Sequence, residues 1–323
     1  MERLILDVDT GEGDAVAILL AIADGLPLDA VITSYGYTTL ERATYNTASV
    51  IELTNASPEI WMGAVAPMAE HPHFPDGQTR WENVGAVVGG GGLSGVSLKP
   101  PERLPIRRFA DSHRVEEIAR RLRERAPVHY CVTGPCTNLA LLCQHLKADV
   151  KNVIGRVTIL GGAFRSPGDS GPRGADGKQL AEFNAYCDPT AMDTVIRSGL
   201  PVSLVTGDTT KFLIVPKKRA QALKAEGPCA ELAKTFMNTA LTAHTTTSER
   251  AFELKEAAAL WLAYHDTASF SPRNVAVETG SSNFGATRLE PTGTPVGVYM
   301  LSPQRSNQII YDILQRLSLT DPL

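Results

Sequence analysis

With 323 residues, 43% of them hydrophobic and 20% charged, the chain has enough apolar material for a sizeable core, which excludes disordered and fibrous classes. Against 35 Asp and Glu stand 31 Lys and Arg, a formal charge of −4, so there is no basic footprint for nucleic acid or for an anionic membrane, and a small-molecule partner is expected. The five cysteines, Cys131, Cys136, Cys143, Cys187 and Cys229, form no Cys-x-x-Cys pair and read as reduced core thiols of a cytoplasmic protein.

In chain order, Met1-Glu2-Arg3 runs directly into Leu4-Ile5-Leu6 with no apolar leader, so no secretion signal is expected. The longest apolar stretch, residues 15–23, falls short of the roughly 20 residues a membrane-spanning helix requires. Short β-branched runs at residues 4–7, 30–34, 60–63, 129–132, 157–160 and 202–205, bounded by Gly, Thr, Pro or Asp, predict strands. Residues 14–24, 40–55, 113–125, 137–146, 189–198 and 216–224 predict helices between them. Two polar, Gly-rich stretches, 70–108 and 165–178, read as binding loops. The alternation predicts an α/β fold with an open, mostly parallel, doubly wound sheet, because continuously apolar strands need helices on both faces. No repeat, charge block or composition break divides the chain, and a single domain over 1–323 is expected.

The segment Leu6-Asp7-Val8-Asp9-Thr10-Gly11-Glu12-Gly13-Asp14 ends an apolar strand in acids and turns through glycines into an apolar helix. Asp7 and Asp9 are two apart, so a continued strand projects both to one face, with Asp14 beside them at the helix start. Like charges so placed repel, and a bound cation or a proton relieves the repulsion. Hard oxygen donors select Ca²⁺ or Mg²⁺. The carboxyl end of a strand is also where α/β sheets dock ligands.

Two enzyme classes place Asp-x-Asp after a first strand. Aspartyl-phosphate phosphatases of the haloacid dehalogenase type continue to Thr or Val two residues beyond the second Asp, where this chain has Gly11. The nucleoside hydrolase family, of the inosine-uridine type, opens with Asp-x-Asp-Pro-Gly-x-Asp-Asp-Ala, which Asp7 to Ala15 resembles at most positions. Further on, Val132-Thr133-Gly134-Pro135-Cys136-Thr137-Asn138, Leu160-Gly161-Gly162, Ala181-Glu182-Phe183-Asn184 with Cys187-Asp188-Pro189, and Val277-Glu278-Thr279 with Gly285-Ala286-Thr287 resemble that family's later segments in order and spacing.

The resemblance implies Ca²⁺ at the bottom of a pocket, held by Asp9, Asp14 and the Thr133 carbonyl. It also implies hydrolysis of an N-ribosidic bond with Asp9 as general base, and a homo-oligomer. Glu182 and Asn184 would grip ribose hydroxyls, and Asp176 stands where the family has a sugar-binding Asn. Ungapped counting places Glu256-Ala257 where the family carries His-Asp, so Glu256 is the expected further metal ligand, while His265-Asp266 reads as a helix-end pair. Gly13 replaces the third motif Asp, Tyr37 an Asn, and Val88-Gly89 a His-Gly. Two readings follow: a hydrolase redirected to another N-riboside and slow on inosine and uridine, or a ribose-binding or scaffold protein that does not hydrolyse. Elsewhere, His71 and His73 read as surface-loop residues, Trp261 as core, and Thr206-Gly207-Asp208 as scaffold.

Overall fold

The computed structural model describes residues 2–71, 91–103, 106–243, 251–266, 270–280 and 282–321, so His73 and Val88-Gly89 lie outside the described residues. The first strand, β1 (Arg3–Val8), is buried from Leu4 onward and turns at Gly11 into α1 (Glu12–Ala23). After it come β2 (Leu28–Thr33), α2 (Leu40–Glu52), β3 (Glu59–Met62), β4 (Ile106–Arg107), β5 (Val128–Val132) and β6 (Ile154–Leu160). A ten-stranded sheet runs in the order Thr287–Leu289, Phe270–Val277, Thr294–Tyr299, Val202–Val205, β6, β5, β1, β2, β3, β4. The pairings from Thr294–Tyr299 through to β4 are parallel, and Phe270–Val277 is antiparallel to both of its neighbours.

Each face of the sheet carries its own apolar cluster. Leu4, Leu6 and Val8 pack with α1, α2 and the helices Pro228–Ala243, Lys255–His265 and Pro303–Arg316. Ile5 packs on the opposite side with the helices Arg114–Arg123, Thr137–Leu146 and Pro189–Ile196. This period-two division is why the strands read as unbroken apolar runs. β1 pairs with β2 on one side and β5 on the other, so the connections diverge there, the kind of switch point beside whose strand ends α/β sheets dock ligands.

The structure departs from the expected elements in several places, among them β4 within the stretch 70–108. The stretch 165–178 is not a plain loop: Ser170–Arg173 pairs with Gln179–Ala181, turning through Gly177 at φ 76°. The antiparallel edge and the helices Pro228–Ala243 and Pro303–Arg316 lie beyond the expected elements, and Phe270–Val277 is largely exposed and carries Pro272, which masks its strand character.

Candidate active site

Asp9 follows β1 directly and is only 4% exposed. Its carboxylate is seated between two glycines: a Cβ at Gly36 would collide with Oδ2, and one at Gly134 would come within 3.0 Å of Oδ1. The backbone N–H of Tyr37 donates to Asp9 Oδ2 at 2.5 Å. Asp14, in the first turn of α1 and also 4% exposed, accepts from Thr133 Oγ1 at 2.5 Å and lies within hydrogen-bonding reach of Asp9. Glu256 enters from the first turn of the helix Lys255–His265, and its Oε2 fills the space that a Cβ at Gly13 would need. Burial pushes the Asp9 carboxyl up to about 7, against the N–H of Tyr37, which lowers it. Asp14 is raised well above the usual range by burial and then by the charge of Asp9. Glu256 is raised to about 8 by burial and then by Asp14. Three acids from two helices and a strand end therefore share one field.

Asp7 does not join them, contrary to the expected shared face. The strand ends at Val8, and the Asp7 side chain lies under the sheet, accepting from Tyr130 Oη at 2.8 Å and Asn138 Nδ2 at 2.9 Å. Glu182 and Asn184 stand together beside Thr133, with most of their polar atoms committed to backbone. Glu182 caps the short helix Phe183–Cys187: Oε1 accepts from Asn184 N at 3.1 Å, and Oε2 from Gly162 N at 3.0 Å and Ala185 N at 3.1 Å. Asn184 Nδ2 donates to the carbonyls of Thr133 at 2.8 Å and Leu160 at 3.1 Å, so the amide donors expected to meet a sugar are already engaged, and Oδ1 is what Asn184 offers. Asp176 is not brought to the cluster: it lies exposed in the hairpin turn, accepting from Lys178 N at 3.1 Å and pairing with Lys178 Nζ at 3.2 Å. His265 pairs with Asp24 at 2.7 Å and Asp266 with Arg305 at 2.8 Å, away from the acids. His71 is a buried residue rather than a surface one, bonded to the Tyr186 carbonyl at 3.1 Å.

The family model described as inosine-uridine preferring nucleoside hydrolase matches residues 4–313. The chain belongs to that family. A pyrimidine-specific ribonucleoside hydrolase, RihA, of Escherichia coli O7:K1 is 34% identical over 227 residues, 69% of this chain and 66% of the relative. The match thus spans just under two thirds of that relative's length. Among solved structures, a plant nucleoside hydrolase superposes with a TM-score of 0.83 at 22% identity, covering 98% of this chain and 99% of that one. A purine-preferring ribonucleoside hydrolase from Gardnerella vaginalis gives 0.82 at 21%, covering 98% of each chain. These two likenesses establish the nucleoside hydrolase fold.

For this family member the donor set is the test of a cation. Asp9, Asp14 and Glu256 offer hard carboxylate oxygens, and the Thr133 carbonyl keeps a second lone pair beside the one that accepts from Asn184. Among the described residues no three His, Cys, Asp or Glu side chains are gathered at coordinating spacing. The set fits a hard divalent ion in chemistry and in charge, since burial and mutual repulsion raise all three carboxyls, a burden that a positive charge relieves. Reading the sequence missed a neighbouring network: Tyr37 Oη donates to Glu12 Oε1 at 3.2 Å, and Ser94 Oγ donates to the same oxygen at 2.9 Å. Its only sequence signal is an acid at position 12, whose partners are 25 and 82 residues away.

Proposed function

We propose that this nucleoside hydrolase family member cleaves the N-glycosidic bond of a ribonucleoside or related N-riboside, giving ribose and free base. The observation that carries this reading is the convergence of Asp9, Asp14 and Glu256 with Thr133 at the carboxyl ends of β1 and β5. Asp9 is the general base: once a cation's charge offsets the burial and repulsion that raise these acids, its carboxylate accepts a proton from the attacking water. The glycines and the Tyr37 N–H hold it in one orientation, which removes the reorganisation a free side chain would need. Glu182 and the Oδ1 of Asn184 accept from ribose hydroxyls, and the surrounding carboxylates stabilise the positive charge that develops on the sugar as the base departs. A divalent cation, Ca²⁺ by family resemblance, would be held by Asp9, Asp14, the Thr133 carbonyl and Glu256. Bound there, it would orient the diol and lower the pKa of the water.

The altered surroundings set the substrate range. Tyr37 and Glu256 stand where the resemblance places other residues, so activated ribosides are expected to be turned over faster than inosine or uridine. A homo-oligomer and a cytoplasmic location are proposed on the resemblance and on cysteine usage; no described helix is long and apolar enough to cross a membrane. The test is a panel of ribosides with a reducing-sugar readout, beside calorimetric Ca²⁺ titration of Asp9→Ala and Asp14→Ala. Sugar release by the wild type with cation affinity lost in both variants supports the reading. Ligand-dependent thermal stabilisation without sugar release, even from nitrophenyl riboside, identifies a binding protein instead.

A further inference from the structure

Glu12 is 7% exposed and takes two hydroxyl donors on one oxygen, Tyr37 Oη at 3.2 Å and Ser94 Oγ at 2.9 Å. A carboxylate only accepts, and a phenol has a single proton. The proton of Tyr37 is therefore committed to Glu12, and what the oxygen offers in any other direction is a lone pair. The surroundings fix this arrangement. Ser94 is held at φ 47°, a left-handed conformation that a serine adopts only when neighbouring structure enforces it. Asn46 Nδ2 donates to Gly91 O at 2.9 Å and to Thr10 O at 3.0 Å, fastening residues 91–94 to the turn between β1 and α1. The Tyr37 ring lies against Gly11, where any Cβ would strike it, and stands edge-on to Phe183 with centroids 6.4 Å apart. Phe183 is flanked by Glu182 and Asn184. Glu12 and Ser94 are buried whereas Tyr37 is half-buried, and its N–H on Asp9 and its ring beside Phe183 place it between the acid cluster and the Glu182–Asn184 pair.

We propose that Tyr37 is a specificity-determining residue that selects the ligand by hydrogen-bond polarity, accepting from a donor on the bound riboside and disfavouring an acceptor at the same place. The donor is an amino group of the base or the 5′-hydroxyl of the ribose. An acceptor-only group there would face a lone pair with no proton to share, leaving both oxygens unpaired. The inference rests on the N-riboside reading of the site.

Calorimetric affinities of adenosine and cytidine choose the tighter parent. It is then compared with its analogue carrying methoxy in place of the amino group and with its 5′-O-methyl analogue, each of which replaces one donor by an acceptor. In the wild type one analogue is expected to bind about 3- to 10-fold more weakly than the parent, the worth of one neutral hydrogen bond, and which analogue suffers identifies the donor. Tyr37→Phe is expected to erase that difference while keeping the fold. Ser94→Ala, which leaves the Tyr37 hydroxyl in place, keeps it. Equal ratios in wild type and Tyr37→Phe for both analogues overturn the inference, as does the same loss in Ser94→Ala, which would mark general loosening. If neither the parents nor nitrophenyl riboside bind, the N-riboside reading itself fails and takes this inference with it; if only nitrophenyl riboside binds, or the parents bind with unmoved ratios, this inference alone fails.

Discussion

Glycine at position 13 is dictated by a side chain on another helix, because the carboxylate of Glu256 occupies the space of any Cβ there. Gly13→Ala is therefore expected to push Glu256 out of the acid cluster and weaken Ca²⁺ binding by at least about 10-fold, one ligand of a hard-ion site being worth that much or more. Calorimetry on a variant with unchanged circular dichroism checks it, and undiminished affinity would place Glu256 outside the site. The acids also predict a pH signature. Their native values, about 7 for Asp9 and about 8 for Glu256, lie above the unfolded values of 3.8 and 4.5. The folded state therefore binds more protons between these limits, and stability falls as pH rises through the window. Chelator-treated protein should show a lower Tm at pH 8 than at pH 5.5, and excess Ca²⁺ should lift the Tm most at pH 8. The pairing of Asp9 with Asp14 is legible in the sequence because both lie in one turn. The meeting of Glu256 with Gly13 depends on how two distant helices dock, which local spacing does not encode.

At the scale of elements, Asn138 in the helix Thr137–Leu146 ties three segments together. Its Nδ2 donates to Asp7 Oδ1 at 2.9 Å, and its Oδ1 accepts from Ala64 N at 2.7 Å. Asn138→Ala strands both groups in the interior, each costing about 1–3 kcal/mol, so a loss of about 2–6 kcal/mol is expected in urea unfolding. A change below about 1 kcal/mol would mean that these bonds are replaced by water. The elements around this helix were readable because β1, β5 and β6 are almost unbroken apolar runs. Phe270–Val277 was not, since an exposed edge strand with Pro272 and Arg273 imitates a loop. Glu182 shows the limit for roles: its type and position marked a polar contact, but its role as the cap of Phe183–Cys187 appears only once Gly162 and Ala185 are placed around it.

Across the whole molecule, two apolar clusters share one ten-stranded sheet, and the candidate site lies where the connections from β1 diverge. We propose that the chain is one cooperative unit, which predicts a single unfolding transition with coincident far-ultraviolet and tryptophan signals. The mostly parallel character of the sheet followed from the alternation of strands and helices, whereas the strand order and the antiparallel edge had no such cue. The proposed chemistry depends on this architecture only through the acids it gathers, and ribose release from nitrophenyl riboside, measured for wild type and Asp9→Asn with Ca²⁺ or with chelator, tests it most directly. We predict steady release by the wild type with Ca²⁺, reduced about 10²–10⁴-fold in Asp9→Asn, as for loss of a general base, and strongly reduced by chelation. Release that persists unchanged in Asp9→Asn and in chelator would contradict the assignment of the Asp9 cluster as the hydrolytic centre.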